Sequence, residues 1–127
     1  MNKPKKPEVK PISGIYLITN TINNKHYVGS SNDVNRRLNT HKRELKNGSS
    51  NNLLMQREYN EFGESNFLFE IIDKNIPEEM LTAYERVYCY IYDSFVMYKG
   101  YNTNSPTSNH KLFKEAYNCL LERGIIK

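Results

Sequence analysis

Apolar and polar positions change period several times along this chain, and each change predicts an element. Two short runs rich in Tyr, Ile and Val, GIYLITNT from Gly14 and KHYVG from Lys25, flank Asn23-Asn24 in the manner of a β-hairpin. A connection centred on those asparagines pairs positions whose numbers sum to 47. Tyr16 and Tyr27 then share one face, expected to look outward, and Ile15, Leu17 and Val28 make the core face. After a Gly-Ser-Ser-Asn loop, Asp33 is placed to cap a helix with Val34, Leu38 and Leu45 inward and an end near Asn47-Gly48. A second helix is predicted from Asn52 to Phe62, with Leu54, Met55 and Tyr59 inward and Gly63 as its stop. FLFEIID, residues 67–73, reads as a third strand. Pro77, Glu78 and Glu79 open a long helix reaching about Ser94 with a stripe of Leu81, Tyr84, Tyr88 and Ile91. A last amphipathic helix over residues 111–124 carries Leu112, Phe113, Tyr117, Leu120 and Leu121. The order β-β-α-α-β-α-α predicts an α+β fold, a small three-stranded antiparallel sheet flanked by helices.

A chain of 127 residues suits one core. The expected organisation is a flexible basic arm over 1–11, which holds three Pro and four Lys, a domain over 12–104, and a C-terminal amphipathic helix within 105–127 that packs on the domain or forms a dimer contact. No apolar run approaches the roughly 18 residues of a membrane span, and the N-terminus lacks the apolar stretch of a secretory signal, so a cytoplasmic protein with no membrane partner is expected. Cys89 and Cys119 fit neither a zinc spacing nor a disulfide framework. Charge is lopsided: residues 1–48 hold ten Lys and Arg against three Asp and Glu, and residues 49–127 hold eight against eleven. A basic surface of this kind attracts polyanions, nucleic acid commonest among them, although a solvated basic face has the same composition.

Within the basic third, Arg37 and His41 are four apart on the first predicted helix and stack on one face, while Arg36 points about 100° away around the axis. The hairpin reads Gly14-Ile15-Tyr16, then ten residues, then Tyr27-Val28-Gly29; Arg37 follows eight residues after Gly29, and His41 four later. Glu85 lies in the long helix and Asn102 in the Gly-Tyr-Asn loop beyond it. This ordered set resembles the GIY-YIG nuclease family, and the run NNKHYVGSSNDVNRRLNTH looks most like the nuclease domains of phage-type homing endonucleases.

The resemblance implies a metal-dependent DNA endonuclease in a bacterial or phage-infected cell, with catalytic roles for Tyr16, Tyr27, Arg37, His41, Glu85 and Asn102. Arg37 would clamp the phosphate through its planar fork. Glu85 would hold Mg²⁺ (or Mn²⁺), since an acid in the aromatic stretch AYERVYCYIY is costly unless paired or bound to a cation; a salt bridge to the basic helix is the alternative. Tyr16 is favoured as general base and Tyr27 as the residue that positions water or phosphate, an assignment that can be reversed. His41 would donate to phosphate or transfer a proton. Asn102 would hold its loop against the centre or touch a water, or serve only as a turn residue. Ser30, Ser31 and Asn32, with Arg36 and Lys42, are the expected DNA contacts. Homing endonucleases of this type add a linker and a DNA-recognition module, and none is legible here. Weak, salt-sensitive binding is therefore expected, with a homodimer or a separate targeting partner as routes to specificity. An idle nucleic-acid-binding domain of the same fold is the competing reading.

Overall fold

The computed structural model describes residues 10–96, 100–103 and 109–126. Most of the arm expected over 1–11 lies outside the described residues, as do residues 104–108. Strand β1 (Gly14–Asn20) pairs antiparallel with β2 (Lys25–Ser31) on one side and β3 (Phe67–Lys74) on the other. Helices α1 (Val34–Asn47) and α2 (Leu53–Phe62) precede β3, and α3 (Leu81–Ile91) and α4 (His110–Glu122) follow it. The α+β fold, the three-stranded antiparallel sheet and the element order are those the sequence predicts.

The hairpin register differs from the expected one. Asn20 pairs with Lys25, so the connection is the four residues Thr21–Asn24 and paired numbers sum to 45. Asn20 builds this longer turn: its carbonyl accepts from the Asn24 amide at 2.8 Å and its side chain from the Ile22 amide at 3.0 Å. Asn24 takes φ 59°, a left-handed conformation that asparagine tolerates. A slip of two keeps side-chain parity, so Tyr16 and Tyr27 still share a face, now opposite Gly29 and Ile18.

That face is not open surface. As the middle strand, β1 is buried along its whole length. Ile15, Leu17 and Val28 meet Leu81, Val87, Ala116 and Leu120 of α3 and α4, while Tyr16 and Ile18 meet Val34, Leu38, Leu45 and Met55 of α1 and α2. A near-continuous apolar strand is what two covered faces require.

Helices α1 and α2 follow their predicted caps. Asp33 accepts from the Arg36 amide at 3.4 Å, Asn52 accepts from the Met55 amide at 3.0 Å, and Gly48 and Gly63 take positive φ beyond the ends. The third helix is shorter than predicted. A 3-10 turn, Glu78–Met80, precedes it, and Asp93 at φ 50° stops it: Asp93 and Ser94 donate back to the carbonyls of Tyr90 and Cys89 at 3.3 and 3.0 Å. This is a glycine-type helix stop built without glycine. Leu81, Tyr84 and Tyr88 are buried as expected, but Ile91 is exposed. On α4, Ala116 and Leu120 are buried and Tyr117 and Leu121 face outward. Arg123, just past α4, grips Asp73 of β3 with two hydrogen bonds of 2.9 and 3.1 Å. Among the described residues, no helix is long and apolar enough to cross a membrane.

Candidate active site

Backbone packing at the hairpin sets where the Tyr16 phenol can lie. Tyr16 crosses β2 at Gly29, and a Cβ at position 29 would overlap the Cζ and hydroxyl of Tyr16. Gly14 is equally constrained, because a Cβ there would overlap the Asp73 carbonyl. Both motif glycines are therefore needed for close approach rather than for unusual dihedrals. Replacing Gly29 by Ala is expected to displace the phenol and slow cleavage by roughly 10²-fold, the cost of about 1 Å of misplacement. Single-turnover rates measured beside a thermal melt check this; a full rate in the Ala protein would show that the contact has no role.

The Tyr16 hydroxyl lies 2.8 Å from His41 Nε2. Tyr16, Tyr27 and His41 form a triangle of rings with centroids 5.2 to 6.2 Å apart. His41 is on the buried face of α1 because Leu38 and Leu45 draw that stripe onto the sheet. Burial, helped by the nearby Arg37 charge, lowers its pKa to about 4, so its imidazole is neutral at neutral pH. Burial also pushes both phenols above the ordinary tyrosine range; for Tyr16 the guanidinium of Arg37 works in the opposite direction. Arg37 itself is exposed at the end of the cluster.

Glu85 reaches the cluster from α3. Its Oε1 accepts from the Ser30 hydroxyl at 3.0 Å, and its charge is felt by both Tyr16 and Tyr27. Burial raises its pKa, with the Ser30 bond and the Arg86 charge pulling back. No ion pair satisfies this carboxylate: among the described residues the two salt bridges are Lys25–Glu58 and Arg123–Asp73. The expected alternative, a salt bridge from Glu85 to the basic helix, is not formed. A half-buried carboxylate held only through Ser30 suits a divalent cation that keeps waters and takes phosphate oxygens for its other ligands. Among the described residues, no group of three or more His, Cys, Asp and Glu side chains gathers as a protein-only metal cage.

Asn102 joins the site without reaching its open side. It is buried and clamps Val28, accepting from its amide and donating to its carbonyl at 2.8 Å each. The preceding Tyr101 donates its amide to the His26 carbonyl at 2.9 Å, so this loop completes the outer edge of β2 beside Tyr27. The Tyr101 hydroxyl in turn donates to Glu58 at 2.7 Å, where Lys25 and Asn23 also converge. Asn102 thus braces β2 beside Tyr27.

The remaining expected contacts separate. Ser30 spends its hydroxyl on Glu85, Ser31 accepts from the Asp33 amide at 3.0 Å, and Asn32 donates to Glu78 at 3.3 Å. Arg36 lies on the exposed side of α1 near Arg37, whereas Lys42 sits over the Phe69 ring at 5.4 Å, away from the cluster. Sequence reading missed the far wall of the cleft. A depression of about 370 Å³ is bounded by Tyr27, Arg37, His41 and Glu44 on one side and by Ser50, Asn51, Asn52, Leu53 and Leu54 on the other. Tyr16, 2% exposed, lies outside that lining. The segment after Gly48 carries no chemical motif, and only the packing of α2 beside α1 brings it here.

Comparison with known proteins agrees with this geometry. The profile described as the GIY-YIG catalytic domain matches residues 12–102. The chain is 37% identical over 109 residues to intron-associated endonuclease 1 of Enterobacteria phage T4, covering 81% of this chain and 43% of that protein. It is 33% identical over 110 residues to a probable intron-encoded endonuclease 1 of Neurospora crassa, covering 80% of this chain and 35% of that one. The chain thus spans less than half the length of either relative. Its fold is similar to the solved catalytic domain of homing endonuclease I-TevI, with a TM-score of 0.64, 33% identity, and coverage of 73% of this chain and 99% of that one. With the tyrosines, Arg37, His41 and Glu85 converging as its motif order requires, the chain belongs to the GIY-YIG family.

Proposed function

We propose that this chain hydrolyses phosphodiester bonds in DNA at one active centre. The observation that carries the reading is the Tyr16–His41 hydrogen bond, set beside an exposed guanidinium on the cleft wall and a half-buried carboxylate, without an ion pair among the described residues, whose charge reaches both tyrosines. Hydrolysis needs a water in line with the leaving oxygen, a proton acceptor for it, and relief of charge on the phosphate. Arg37 holds the phosphate oxygens and stabilises their charge as attack proceeds. Tyr27, on the cleft wall, orients the water. Tyr16 takes the proton from that water at its hydroxyl oxygen while giving its own to Nε2 of neutral His41, so no free phenolate is required. In this arrangement the resident proton of His41 is on Nδ1, an atom that is buried without a hydrogen-bond partner. Glu85, steadied by Ser30, would hold a divalent cation, Mg²⁺ or Mn²⁺, which when bound draws charge from the phosphate and the leaving oxygen.

One centre attacks one strand at a time, so the first product is a nick. A double-strand break takes two such events, by a homodimer or by successive encounters, and a separate targeting partner would supply sequence preference. The setting we infer is the cytoplasm of a bacterial or phage-infected cell. The test is conversion of supercoiled plasmid to nicked and linear forms with Mg²⁺, with Mn²⁺ and with EDTA. Cleavage with either metal and none in EDTA is expected. A folded protein that binds DNA yet cleaves neither plasmid nor branched DNA would instead be a catalytically idle binding domain.

A further inference from the structure

Beside the cleft of Tyr27 and His41, α1 borders a second depression of about 410 Å³, lined by Ser31, Asn32, Arg36, Arg37, Thr40 and Arg43 together with Asp33. Its chemistry differs from that of the first. Leu53 and Leu54 line the first cleft, but no apolar side chain lines the second. Three guanidiniums border it, all exposed, and among the described residues no carboxylate is ion-paired with any of them. Asp33, the one acid on its wall, is turned to the Arg36 amide as the helix cap. Thr40 donates its hydroxyl to the Arg36 carbonyl at 3.0 Å, so the guanidiniums are its principal free donors. Three like charges held together against a single acid that is turned to the helix cap mark a surface suited to an anion.

Spacing says which anion. Arg36 and Arg43 are seven positions apart, which places them on one face of α1 and about 10.5 Å apart along its axis. That is roughly three times the 3.4 Å rise per nucleotide of one DNA strand. Arg37 borders both depressions, so the second continues directly from the reacting phosphate. We infer that this groove grips the sugar-phosphate backbone of the cleaved strand for about three nucleotides to one side of the scissile bond, through Arg36 and Arg43. The inference rests on the nuclease reading and adds to it a strand path and two residues that bind rather than react.

Arg36→Gln, Arg43→Gln and the double variant test it, with Lys46→Gln as a control cation on the same helix. Equilibrium binding of a fluorescent duplex is titrated over a series of salt concentrations, and cleavage is followed over a series of DNA concentrations. Each single variant is expected to weaken binding about tenfold and to lower the slope of log K against log salt by about 0.9, the share of one phosphate. The loss should fall on the half-saturating DNA concentration rather than on the rate at saturation, and Lys46→Gln should do far less. Wild-type affinity and slope in the double variant would overturn the groove. So would an equal loss in Lys46→Gln, which would mean that general positive charge is responsible. Because the binding titration does not depend on turnover, a protein that never cleaves leaves the groove testable while sinking the nuclease reading.

Discussion

Glu85→Gln and Arg37→Ala proteins are expected to leave supercoiled plasmid intact under conditions in which the wild type converts it, a loss of about 10³-fold or more. That scale follows from removing an electrostatic partner of the phosphoryl transition state. Neither loss should come from unfolding. Arg37 is exposed on α1 and belongs to neither core cluster. For Glu85 the two effects should diverge. Burial raises its folded pKa above the unfolded value, so between those values the native state binds more protons than the unfolded state. Stability therefore falls as pH rises through that window, and at neutral pH the ionised carboxylate costs stability. Glu85→Gln should melt no lower than the wild type at pH 7, and any advantage should vanish well below the unfolded carboxylate pKa. A dead enzyme of undiminished stability is the expected result; a variant that cleaves at more than a tenth of the wild-type rate would remove Glu85 from the chemistry.

The second large effect is expected at Tyr16. Tyr16→Phe keeps the ring against Gly29 but deletes the hydroxyl between water and His41, and the single-turnover rate should fall by about 10² to 10⁴, the worth of a positioned acid-base group. DNA binding should change little, because the hydroxyl is not a phosphate grip. Tyr27→Phe should cost less, since Tyr27 orients rather than relays; the reverse ranking would exchange the two roles. His41 adds a pH signature. Its pKa of about 4 lies below the unfolded value near 6.5, so the unfolded state binds more protons between the two. Stability on its account is complete above about 6.5 and declines as pH falls toward 4. As proton acceptor it stays neutral throughout that range, so it should add no inflection near pH 6.5 to the cleavage rate. A His-type inflection at 6.5 that disappears in His41→Gln would contradict the buried, neutral imidazole.

Local rules made much of this protein legible in one dimension. Asp33, Gly48, Asn52 and Gly63 mark the ends of α1 and α2 because capping is satisfied within a few residues. Tyr16 and Tyr27 share a face under either hairpin register because side-chain parity survives a slip of two. Arg37 and His41 stack because 3.6 residues make a turn. The ordered motif pointed to the family, which the comparisons bear out. What depended on residues distant in sequence was not legible. The second helical layer over β1 turned an expected open face into a buried one, and that burial sets His41 neutral, while the packing of α3 on β2 makes Glu85 reluctant to ionise. Asp93 ended α3 where no glycine signalled a stop, and the chain that follows brings Asn102 onto Val28 as a brace. Ser30 became the carboxylate's partner, and Lys42 went to Phe69. Spacing along a helix or strand tells which side chains share a face; only packing decides what that face meets, how dry it is, and therefore which groups carry charge.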